Sequence, residues 1–129
     1  MSTRILAALA VLVSAYVHLS EWHAGMRYVH VIGSLFLVNI GAGVVIAVAL
    51  LAWKHWIPPF LALGFGATTL GGFAIATTPG GLFGDHEKWQ GGQIWLAAIA
   101  EAVAVVAGLL ALSRELRSAP QAAGRTVVG

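Results

Sequence analysis

The sequence contains no cysteine in 129 residues, which removes disulfides, thiolate metal sites and cysteine nucleophiles from consideration. Charge is nearly as scarce. Asp, Glu, Lys and Arg together make up 9% of the chain, against about a quarter in a soluble domain. The net charge is only +2 and the seven basic residues are scattered, so there is no basic face to track a nucleic acid. No fixed-period repeat is visible, and no segment assembles a nucleophile, a base and an orienting group, so an ordinary hydrolase is not expected. The chain is read as non-enzymatic.

What fills the chain instead is apolar. Hydrophobic residues reach 59% and the mean hydropathy is +0.87. Val31 to Trp53 is a run of 23 uncharged residues and Ile57 to Gly84 a run of 28, each long enough for the roughly 20 residues that a bilayer core demands of a helix. The predicted fold is an all-α integral membrane four-helix bundle. Its spans cover residues 5–22, 29–53, 58–78 and 93–113, followed by a disordered tail over 114–129. Residues 57–59, "IPP", open the third span because proline is tolerated in a first helical turn, and "TTPGG" closes it. A rival reading takes residues 1–15 as a cleaved signal peptide ending in "VSA". Against it, the apolar run continues to Trp22, a residue type that anchors at membrane interfaces.

Orientation follows from the basic residues. Arg4, Lys54, Arg114, Arg117 and Arg125 fall on one side of such a bundle, Arg27 and Lys88 on the other. The positive-inside rule then predicts both termini in the cytoplasm.

"HLSEWHAGMRYVH", His18 to His30, becomes the first outer loop with its helix ends. The second outer loop, "GGLFGDHEKWQGG", reads as a cap on the same surface. His18, Glu21, His23, His30 and His86 form one candidate ligand set, since imidazole and carboxylate hold zinc, copper or iron where thiolates are absent. His18 and His30 are the only pair placed to hold a haem. The competing reading makes these histidines interface residues, like Trp22, Tyr28 and Trp89 beside them, or groups responding to external pH. No tight ligand motif decides between them.

Glu101 is the more telling residue. It lies nine residues into the fourth span, roughly 13 Å deep, where a charged side chain costs at least about 2.5 kcal/mol. Its helical neighbours Ala97, Ala104 and Gly108 are small, so this face is expected to point into the bundle. Asn39, Thr68, Thr69 and Ser14 fall at a similar depth on the other spans. Together they predict an intramembrane polar layer, either a proton-responsive site around Glu101 or hydrogen-bonding glue between helices.

The segments "HLSEW" (His18–Trp22), "GSLFLVN" (Gly33–Asn39), "GLFG" (Gly81–Gly84) and "AEAVAV" around Glu101, with Tyr28, Gly71–Gly72, Glu87 and Trp89, resemble small four-helix integral membrane proteins of high-GC Gram-positive bacteria. The likeness covers about residues 10–112 and implies architecture and a bacterial plasma membrane; it supplies no catalytic residues. The leading expectation is a non-enzymatic accessory or interaction subunit in the lipid bilayer, acting through a membrane protein partner or as a homo-oligomer. A metal- or haem-binding redox module and a proton-coupled carrier or sensor built on Glu101 are the alternatives.

Overall fold

The computed structural model describes residues 2–128, with side chains over 2–118. Four helices follow in order: α1 (Ser2–Ala24), α2 (Ile32–Ala52), α3 (Ile57–Ala76) and α4 (Gly92–Val128), with a single 3-10 turn at Met26–Tyr28 between the first two. All four are long and apolar enough to cross a membrane. The architecture is all-helical.

The helix ends have local causes. α2 starts three residues later than expected because Val31 adopts φ 67, ψ −48. The Ile32 amide then donates back to the His30 carbonyl at 2.7 Å, a γ-turn of the rare, strained hand. Pro58 and Pro59 occupy the first turn of α3. At its other end the Thr77 and Thr78 hydroxyls donate to the carbonyls of Ala74 and Ile75, and the helix stops. The expected tail from residue 114 is different: α4 continues through Ser113 and on to Val128. Glu115 anchors that extension, because it is within reach of Arg4.

Alanine lines most of the core. Ala7, Val11, Ala47, Leu50, Ala62, Ala104 and Ala107 form a buried cluster, and such small side chains let helices approach closely. Two glycines mark the tightest point between α3 and α4. A Cβ on Gly66 would sit 2.5 Å from the Glu101 carbonyl oxygen, and one on Gly108 would sit 2.8 Å from the Leu63 amide. Outside this core the helices turn Leu, Val, Ile and aromatic side chains outward, a surface compatible with lipid.

The packing is uneven. α1 lies against both α2 and α4, and α3 lies against α4, whereas α2 and α3 scarcely touch. In space the helices therefore run α2, α1, α4, α3, with a gap left between the first and the last.

One end of the bundle is tied by Arg4, which is only 4% exposed. Its Nε donates to the Leu50 carbonyl at 2.9 Å, Nη1 to the His55 carbonyl and to Glu115 Oε1, each at 3.2 Å, and Nη2 to the Trp53 carbonyl. The guanidinium thus satisfies carbonyls that the end of α2 leaves without helical partners.

Candidate functional site

The gap between α2 and α3 is a cleft of about 530 Å³. α2 contributes Phe36, Asn39 and Ile46 to it, and α3 contributes Phe60, Phe65, Thr68, Thr69 and Phe73. The floor is made by α1 and α4 through His18 and Glu101. Glu21, Asp85 and Glu87 line its far end, next to the loops.

Glu101 is 3% exposed. Its face of α4 carries Ala104 and Gly108 against α1 and α3, while Trp95, Ile99, Val106 and Leu110 are exposed on the other side. The Ser14 hydroxyl donates to Glu101 Oε1 at 3.4 Å. Ser14 is fully buried, and its carbonyl accepts from His18 Nδ1 at 2.8 Å. The His18 ring meets Phe36 edge-on, centroids 4.7 Å apart. Across the cleft the Asn39 Nδ2 donates to Thr69 Oγ1 at 3.1 Å, the one side-chain hydrogen bond from α2 to α3 among the described residues. Asn39 Oδ1 is buried and has no partner among the described residues. Thr68 instead donates to the Gly64 carbonyl of its own helix at 2.7 Å.

The polar layer read from the sequence is therefore resolved into parts. Ser14 pairs with Glu101, Asn39 pairs with Thr69, and Thr68 closes on α3. All but Ser14 line the cleft.

The ligand set read from the sequence is dispersed. His18 faces Phe36, His23 packs on Trp22 at 5.2 Å, and His30 is exposed in the link before α2. His86 Nε2 lies 3.1 Å from the Pro79 carbonyl, and Glu21 belongs to the mouth of the cleft. Among the described residues no group of three or more His, Asp or Glu side chains is placed to hold a metal ion.

The second loop closes over the mouth. Leu82 and Asp85 exchange two backbone hydrogen bonds of 2.9 Å around Phe83 at φ 50 and Gly84 at φ 84, the geometry of a type I′ turn. Gly81 lets this turn fold tightly, since a Cβ there would lie 2.5 Å from the Asp85 carbonyl oxygen. The Glu87 amide donates to the Ala76 carbonyl at 2.9 Å and pins the loop to the end of α3. Three carboxylates are thereby gathered. Burial first, then a hydrogen bond that the protonated Glu87 carboxyl donates to Asp85, and then the negative charges of Asp85 and Glu21, push the Glu87 carboxyl up to about 7.

Two features were beyond sequence reasoning. The sequence puts Arg4 just ahead of the first span as a basic flank, whereas the structure has it buried within α1, and no sequence signal marks that burial. The cleft itself had none, because hydropathy does not say which neighbouring helices diverge. No protein-family model, no curated protein and no solved structure matches the chain.

Proposed function

We propose that this chain is a non-enzymatic, multi-pass protein of the bacterial plasma membrane, a proton-coupled carrier or sensor whose working group is Glu101. One observation carries this reading. An almost wholly buried carboxyl lines a cleft large enough for a small molecule, with one oxygen held by Ser14 and no hydrogen-bond partner for the other among the described residues. A glutamate that served only to bind two helices together would face its partner helix and no cavity. Intramembrane carboxyls that line a cavity typically belong to proton or substrate paths.

Both termini in the cytoplasm, with the carboxylate-lined mouth outside, is part of the same proposal and rests on the distribution of basic residues. Membership of the actinobacterial group that the sequence resembles is also part of the proposal and rests on the segments at His18–Trp22, Gly33–Asn39, Gly81–Gly84 and around Glu101.

The test is infrared difference spectroscopy of the protein in lipid as pH is changed. The expected result is a carboxylic-acid C=O band that grows on acidification and is missing in Glu101→Gln. Identical difference spectra for the two proteins would make Glu101 static helix glue and end the reading.

A second reading, the accessory or interaction subunit, is supported by α2, whose apolar window is only 22% buried. Crosslinking in native membranes would return a partner or a second copy on the α2 surface if it holds.

A further inference from the structure

The charge of the cleft is one-sided. Four of the five acids of the chain, Glu21, Asp85, Glu87 and Glu101, line it. Among the described residues His18 is the only other titratable side chain there, and none of their lysines or arginines reaches in. The described arginines are engaged elsewhere: Arg4 with Glu115, Arg27 over the rings of Trp22 and Tyr28, Arg114 with Thr3 and Arg117 with the Ser113 carbonyl.

The unused hydrogen-bonding capacity points the same way. Asn39 Oδ1 is a buried acceptor without a donor among the described residues. Glu101, 3% exposed, has a single hydrogen bond among the described residues, to Oε1, which leaves Oε2 free. Both residues line the cavity. Around these acceptors the walls are apolar, and four of the five phenylalanines of the chain contribute to them. Aromatic faces attract cations, more strongly where water is excluded. The volume of about 530 Å³ falls within the range of small-molecule sites.

Building on the Glu101 reading, we propose that the ligand of the cleft is an amphipathic organic cation, its positive head paired with Glu101 beside Asn39 and its apolar body lying between Phe36 of α2 and Phe65 and Phe73 of α3. The acids at the mouth draw such a cation in from the surface, and the cleft walls take over its apolar part. A neutral lipid chain would use the walls but leave Glu101 unmatched. An anion would meet four carboxyl groups.

The experiment is equilibrium binding to the protein in lipid nanodiscs, with empty nanodiscs subtracted. Tetraphenylphosphonium and tetraphenylborate serve as probes, being alike in size and shape and opposite in charge. Saturable binding of the phosphonium alone is expected. Glu101→Gln should weaken it by roughly tenfold to a hundredfold, the loss of one charge-assisted contact. Gly64 offers a second variant that does not depend on Glu101. It lines the cleft and has nothing within 4 Å of a Cβ, so Gly64→Phe should block binding, whereas Gly71→Phe, on the same helix with equally open surroundings but outside the cleft, should not.

Equal binding of both probes would reduce the site to an apolar pocket and overturn the proposal. No binding of either, with the infrared band of Glu101 still present, overturns the cation while leaving the proton-responsive reading intact. No binding and no band ends both.

Discussion

Arg4 and Glu115 are 111 residues apart in the chain and 3.2 Å apart in the structure. The pair joins the first turn of α1 to the far part of α4. Yet the ion pair is the lesser part of what Arg4 does there. Three backbone carbonyls at and just beyond the end of α2, those of Leu50, Trp53 and His55, accept from the same guanidinium, and all three lose that donor without it.

This asymmetry is measurable. Arg4→Met should destabilise the bundle by about 3 kcal/mol or more, since it removes a buried charge whose partners stay behind. Glu115→Gln should cost about 1 kcal/mol or less, because its side chain is 28% exposed and its partner keeps the carbonyls. Reversible unfolding in mixed micelles with increasing dodecyl sulfate would give both numbers. Equal losses would mean that the ion pair, not the capping of α2, secures this end.

A second expectation concerns the contact of α3 with α4. Gly66→Ala should destabilise by roughly 1–3 kcal/mol, the range for overpacking, since the added methyl would meet the backbone of Glu101 and Val105. Gly71→Ala, where nothing lies within 4 Å, should be neutral or stabilise by up to about 1 kcal/mol through helix propensity. The same unfolding assay compares them. A neutral Gly66→Ala would mean that α3 and α4 are not held as closely as the structure has them.

The third concerns pH. Glu87 has its carboxyl pushed from 4.5 to about 7 in the folded loop, so between these values the folded state holds a proton that the unfolded chain has released. Stability of the loop is therefore fully present below about pH 4.5 and declines as pH rises toward 7. Hydrogen exchange of the loop amides, Glu87 above all, should accelerate across that window beyond the intrinsic base-catalysed rise. Glu87→Gln, which stays neutral, should flatten the excess. An unchanged profile in that variant would mean that Glu87 does not carry the pH dependence of the loop.

Much of the architecture was legible in the sequence because helices long and apolar enough to cross a membrane stand out directly in hydropathy. The inward face of α4 was legible for a related reason: Ala97, Ala104 and Gly108 recur on the side of Glu101, and small residues mark close helix contacts. The pairing of Ser14 with Glu101 rather than with Asn39 was not legible, because depth in the membrane fixes the level of a side chain and says nothing about which helices are neighbours. The same limit applies to the histidines. Their clustering in sequence suggested convergence, but His18 lies on a helix face toward Phe36, His23 is one step further round beside Trp22, and His86 is held by its own loop. Proximity along the chain did not become proximity in space.

The order of helices in space, α2, α1, α4, α3, gives the bundle a direction of least resistance. Three of the four possible seams are closed by tight packing along their length, and widening any of them exposes buried alanine and glycine surface. The fourth is spanned by Asn39 and Thr69 with little apolar contact beside them. Separation of α2 from α3, about the short Trp53–Trp56 link, is therefore expected before any other widening of the bundle. Under the proposed function, a compliance concentrated on one side lets the cleft adjust its width to a guest while Ser14 and Glu101, on the stiff side, keep their places.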